Sequence, residues 1–209
     1  MHKKTLLATF AASMMLATTA QADTIKQGGT LTVPIINTGF VENFNPYTTK
    51  DTLHGIMFEP LFVLNNMTGE THYRLAESVE YSDDLKTITL KLRDGLEWSD
   101  GAPLTAEDVV FSFELTKKAP AFDVKAIWPT GNLTSIAATD KQTVVFNLAE
   151  PDSTFLWSIG AYHIVPKHTW SKVTDYTTFT NPNPVGSGPM TTVKYLSLIH
   201  ISEPTRPRL

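Results

Sequence analysis

Two short alternating runs most limit what this chain can fold into. Glu77-Ser78-Val79-Glu80-Tyr81 alternates polar and apolar residues, and so does Thr87-Ile88-Thr89-Leu90-Lys91-Leu92-Arg93. In an extended chain successive side chains point to opposite faces. Ile88, Leu90 and Leu92 therefore share one face, and Thr89 and Lys91 share the other, the pattern of a half-buried strand. Ser82-Asp83-Asp84 between the runs is turn chemistry, so the two strands are expected to pair antiparallel.

A helix follows. Thr105 is placed as its N-cap, with its hydroxyl accepting from the backbone N–H of Asp108. Glu107 and Asp108 in the first turn favour the positive end of the helix dipole. Ala106, Val109, Val110 and Phe113 recur at i, i+3, i+4 and i+7 and make one buried face. The helix should end near Lys117-Lys118, before Pro120. Thr134–Ala138 and Thr143–Leu148 read as two more strands around Asp140-Lys141. Asp152 or Ser153 is expected to cap a short helix through Ile159, and Pro166–Val173 to form a helical turn. Upstream, Thr30–Val33 reads as a strand, Asn43–Tyr47 as a turn and Asp51–Met57 as a short helix. Asn181–Pro189 holds three Pro and two Gly, so it reads as a loop. Helices and strands mix without a regular βαβ rhythm, which gives an α/β chain of the mixed α+β kind.

The ends carry different information. His2, Lys3 and Lys4 precede an apolar run from Thr5 to Ala20, and Ala20-Gln21-Ala22 leads into Asp23. That is the form of a secretory signal, with cleavage expected after Ala22 and a periplasmic destination. The chain has no Cys, so neither a disulfide nor a lipid-anchored Cys is possible within it. Its net charge is -4, and the two Lys of residues 1–22 leave the remainder more acidic still. Such a surface argues against a nucleic-acid partner, whose phosphates demand Lys and Arg patches. At the other end, Leu196 to Arg206 resembles the translation of a sequencing adapter. Leu196–Leu209 is therefore expected to be non-native, and Pro204 and Pro207 to break any strand or helix there. Residues 23–195 would then be part of a longer protein.

Enzyme signatures are mostly missing. There is no Gly-rich phosphate loop, no Gly-x-Ser-x-Gly and no His-Glu-x-x-His. His163 and His168 lie five apart across Pro166, which is poor spacing for a metal pair on one helix face. Asp83-Asp84, Asp100 and Glu107-Asp108 are each explained by a turn or a helix start, although a glycosidase carboxylate pair stays open as a distant alternative. Among the four Trp, Trp98 and Trp157 read as structural. Trp128, between Ile127 and Pro129, is the better candidate for an exposed, ligand-stacking ring.

Several segments in this order resemble the family 5 extracellular solute-binding proteins of ABC importers. They are Gly28-Gly29-Thr30-Leu31, Asn45-Pro46, Phe58-Glu59-Pro60-Leu61 and Leu75-Ala76-Glu77-Ser78. Leu92–Gly101, Thr105–Ser112 and Pro184–Pro189 complete the set. The resemblance covers Gly28 to Tyr195. It implies a periplasmic binding protein-like fold, with this chain as the N-terminal part of a two-lobed protein that closes on its ligand by hinge motion. It implies a monomer that binds a small molecule, hands it to permease subunits at the inner membrane, and needs neither a cofactor nor a metal. Asn43–Tyr47, Arg74–Ser78 and Thr177–Asn181 look most similar to the chitin- and cello-oligosaccharide binders, with di- and oligopeptide binding as the alternative. The ligand-facing loop of the family corresponds to Asn37–Asn45. Phe40, Glu42 and Asn43, together with Trp128, are the expected ligand contacts, while Asn45 is expected only to cap the turn at Pro46.

Overall fold

The computed structural model describes residues 43–48, 54–128, 132–196 and 199–204. The strand expected at Thr30–Val33 lies outside them, as does the signal segment. A one-turn helix α1 (His54–Met57) leads into a hairpin of β1 (Phe62–Leu64) and β2 (Thr71–Tyr73). Asn65 shapes the hairpin's turn: its Oδ1 accepts from the Met67 N–H at 2.9 Å. Gly69 closes the turn at φ 75°, a left-handed conformation that glycine adopts without steric cost. The apolar run of β1 is legible in the sequence, but Thr71-His72-Tyr73 is too short for alternation to show.

The two alternating runs form β3 (Ala76–Tyr81) and β4 (Thr87–Leu92), paired antiparallel with Glu80 opposite Thr89 and Tyr81 opposite Ile88. Their turn is fastened by Asp84, which accepts from the Ser82 hydroxyl at 2.6 Å and from the Lys86 N–H at 3.1 Å. Next come α2 (Ala106–Lys118), a 3-10 turn at Pro120–Phe122, β5 (Leu133–Ala138) and β6 (Thr143–Leu148). The sheet order is β3-β4-β6-β5, antiparallel throughout. Ile88, Leu90 and Leu92 are buried on one face beside Val144, Phe146 and Leu148. Helix α2 packs against β5 and β6. Phe113 of α2 meets the Phe146 ring edge-on, centroids 5.2 Å apart. Burying one such side chain contributes about 1.5–3 kcal/mol.

Helix α2 starts where the cap reading puts it. The main fastening is the Asp108 carboxylate, which accepts the Thr105 N–H at 2.9 Å in a reciprocal capping box. Its other oxygen accepts the Lys167 N–H at 2.9 Å, so buried Asp108 also ties α2 to α4 (Lys167–Trp170).

Three expectations change. The helix before Ile159 is only α3 (Leu156–Ile159), because Asp152 spends its carboxylate on the Thr154 N–H and hydroxyl in a local turn. Trp157 on α3 is 47% exposed, not structural filling. Finally, the segment after Leu196 does form a strand: β8 (Ile199–Pro204) pairs antiparallel with β7 (Met190–Leu196). Pro204 is its last residue, where a missing N–H disturbs the ladder least.

Candidate functional site

Four segments distant in sequence are joined in two junctions that share the last of them. They are Asn43–Thr48, Met57–Pro60, Trp98–Gly101 and the run from Tyr176 to Pro189. Turn chemistry shapes each one, and hydrogen bonds between them supply the rest.

The first junction joins Phe44 and Asn45 to the Tyr176–Asn181 loop. The Phe44 N–H donates to the Thr180 carbonyl at 2.8 Å, and the Asn181 amide donates back to the Phe44 carbonyl at 3.3 Å. Asn45 is fully buried. Its Nδ2 donates to the carbonyls of Tyr176 at 3.1 Å and Phe179 at 2.8 Å, while its Oδ1 accepts from the Tyr47 N–H at 2.9 Å. Asn181 sits at φ 51°, a left-handed conformation that Asn tolerates better than most residues. Around the junction the Tyr47 ring stacks on Phe122 at 5.1 Å and meets Trp170 edge-on at 5.8 Å. Trp170 in turn meets Phe179 edge-on at 5.2 Å. Burial, and next the neighbouring Tyr162, push the Tyr47 hydroxyl well above the usual tyrosine range. That hydroxyl donates to the His163 carbonyl at 2.8 Å.

The second junction is a glycine strap. The Gly188 N–H donates to the Met57 carbonyl at 2.8 Å, and the Ser187 hydroxyl accepts the Glu59 N–H at 3.0 Å. Gly186 accepts the Ser99 N–H at 2.9 Å and returns its own N–H to the Ser99 hydroxyl at 3.2 Å. A Cβ at Gly186 would collide with the Met57 carbonyl oxygen, and one at Gly188 with that of Ile56. Only glycine lets the strap lie this close to the end of α1. The Trp98–Gly101 turn beneath it is anchored by buried Trp98. Asp100 reaches His168 of α4 at 2.7 Å. Burial alone would raise the Asp100 carboxyl, but His168 and the Ala102 N–H outweigh it and hold it below the usual range.

The expected ligand contacts separate here. Phe40 and Glu42 lie outside the described residues. Asn43 frames the turn: its Oδ1 accepts the Asn45 N–H at 3.0 Å and its Nδ2 donates to the Thr48 hydroxyl at 3.0 Å. Trp128 is not the free ring that was expected. Its indole N–H donates to the Phe113 carbonyl at 2.9 Å, and Lys117 lies over the ring, 4.5 Å from the centroid. It is half-buried against α2, held by Asp123, which accepts the backbone N–H groups of Ile127 and Trp128. The carboxylates near Trp98 are engaged as well, Asp100 with His168 and Glu107 with Lys167 at 2.8 Å. Among the described residues no group of three or more metal-ligating side chains gathers. What this arrangement does chemically is hold loops in register.

Residues 70–196 match the family described as "Bacterial extracellular solute-binding proteins, family 5 Middle". The chain belongs to this family. The glycine strap and the Trp98–Gly101 turn both fall within the matched stretch. A Brucella ovis protein named "Putative ABC transporter peptide-binding protein" is 31% identical over 169 residues, 76% of this chain and 31% of its own length. A periplasmic oligopeptide-binding protein of an oligopeptide ABC transporter from Thermotoga maritima, crystallised with mannohexaose bound, superimposes with a TM-score of 0.64 at 34% identity. That alignment covers 72% of this chain and 28% of the other. The ABC transporter substrate-binding protein CtaP of Listeria monocytogenes gives a TM-score of 0.64 at 32% identity, over 77% of this chain and 34% of its own. The chain thus has the mixed α/β fold of periplasmic binding proteins and spans about a third of these relatives.

Proposed function

We propose that this chain is the first-lobe portion of an exported peptide-binding protein that delivers its ligand to an ABC importer. The observation that carries the ligand class is the name of the Brucella ovis relative, a peptide binder 31% identical to this chain. That reverses the order reached from sequence alone, in which oligosaccharide came first. A scaffold role is supported by the buried polar side chains among the described residues, since Asn45, Asp123 and Asn181 hold loops and Asp108, Ser112 and Thr116 fasten α2. Cleavage after Ala22, permease partners at the inner membrane and a monomeric state belong to the same proposal. So does the foreign origin of Leu196–Leu209, whose sequence resembles a translated sequencing adapter. Phe40, Glu42, Asn43 and Trp128 remain as proposed ligand contacts, with Trp128 half-buried.

A second reading keeps the sugar. Its support is the mannohexaose bound to the Thermotoga maritima protein, which is itself an oligopeptide-binding protein. The two readings separate on the cargo itself. The full-length gene product, exported in a peptide-containing medium, is purified, denatured and its released small molecules identified by mass spectrometry. Short peptides near one equivalent per protein are expected. A hexose oligomer in their place would establish the second reading.

A further inference from the structure

Asn45 does more than cap the turn at Pro46. Its side chain is fully buried and uses both ends of the amide: one acceptor bond within its own turn and two donor bonds to carbonyls 131 and 134 residues away. An Asn that only capped its turn would need the acceptor alone and would leave the NH2 to water. Burying two donors is tolerated because both find carbonyls. The neighbouring Phe44–Thr180 and Asn181–Phe44 bonds turn this into a four-bond clasp between residues 44–45 and 176–181. The same downstream segment continues through the glycine strap into β7.

We infer that Asn45 is a positioning residue: through the Tyr176 and Phe179 carbonyls it fixes where the segment ending the ligand-facing loop leaves the scaffold. This rests on the reading of Asn37–Asn45 as that loop. The clasp joins Phe44 and Asn45 to the 176–181 segment and uses no bond to a sheet strand. The chemistry makes Asn45→Asp the sharpest probe. It keeps the shape and the acceptor but replaces the NH2 with a carboxylate oxygen facing two carbonyls. At low pH the neutral acid regains a single O–H donor. Burial and the facing carbonyls raise the carboxyl of the variant, so this return begins above the ordinary Asp range.

The test is amide hydrogen exchange on the full-length gene product, comparing wild type with Asn45→Asp and the milder Asn181→Gly. The latter keeps the left-handed backbone and removes one clasp donor. Val144→Ala in the sheet serves as a control that lowers global stability without touching the clasp. Asn45→Asp is expected to reduce protection in residues 43–48 and 176–181 by at least about tenfold while β3, β4 and β6 keep theirs. Part of the loss should return as pH falls, and Asn181→Gly should give a smaller loss in the same two segments. Val144→Ala should lower protection in the sheet and spare the clasp. Affinity for tri-alanine should fall with the Asn45 and Asn181 variants and hold in Val144→Ala. A protection loss spread evenly over sheet and clasp, or none, would overturn the inference. So would loss in the clasp segments with no return at low pH. If wild type binds no tri-alanine, the peptide reading is in difficulty, while the exchange pattern still decides the clasp.

Discussion

The sheet with α2 and the two loop junctions hold together in different ways. In the sheet, two short antiparallel turns join β3 to β4 and β5 to β6, the long-range β4–β6 pairing closes the order, and stability comes from one apolar face. In the junctions the partners are far apart in sequence, and the fastening is polar: buried Asn45 and Asn181, half-buried Ser99 and Ser187, and the bare glycines at 186 and 188. The difference teaches where change is tolerated. An apolar face can be repacked in part. A strap with no room for a Cβ, or a buried amide with every donor used, has no alternative arrangement close by.

The largest expected effect lies in the sheet. Phe146 is fully buried and meets Phe113. Phe146→Ala should lower unfolding free energy by about 3–5 kcal/mol in a denaturant titration. Gly188→Ala should follow in the strap, at about 1–3 kcal/mol, because backbone and not a flexible side chain is in the way. If Gly188→Ala proved neutral, the strap would not lie against α1 as described.

Asp108 links the two regions, since it fastens both the start of α2 and the start of α4. Asp108→Ala strands two N–H groups and is expected to cost about 1.5–3 kcal/mol. A thermal melt that shifts no more than that of Thr105→Ala would reduce Asp108 to an ordinary first-turn acid.

The smallest effect is electrostatic. The Asp100 carboxyl is held below its ordinary value of 3.8 in the folded chain. Because the folded value is the lower one, its contribution is complete above 3.8 and is lost as pH falls below it. Asp100→Asn should therefore flatten the acid limb of stability below about pH 4. At neutral pH it should change stability by less than about 1 kcal/mol, since the pair with His168 is partly exposed. An unchanged acid limb would remove the pair from the account.

The contrast also explains what was legible in the sequence. Alternation at residues 87–92 reports burial directly because β4 is regular and one-sided, and Ala106, Val109 and Phe113 do the same for α2, whereas in β3 Val79 and Tyr81 are only half-buried beside a register shift between Ala76 and Ser78. The pairing of β4 with β6, which skips β5, was not legible, because no local pattern says which later strand returns to the edge of β4. Asn45 reads as a turn residue because its local bond to Tyr47 is the one a sequence can show. The bonds to Tyr176 and Phe179 depend on where the chain returns. The exposure of Trp128 and Trp157 was not legible for the same reason. Trp128 is half-buried against α2 and Lys117, whereas α3 is a single turn that leaves Trp157 open. Glycines 186 and 188 were visible as loop residues, but their necessity comes from the carbonyls above them.

The most direct test of the functional reading is a calorimetric titration of the full-length gene product, freed of endogenous cargo by mild denaturation and refolding. Tri-alanine and mannohexaose are titrated in parallel into the same preparation. The account predicts saturable one-site binding of the peptide and no heat from the sugar. Saturable binding of mannohexaose with none of the peptide would contradict it.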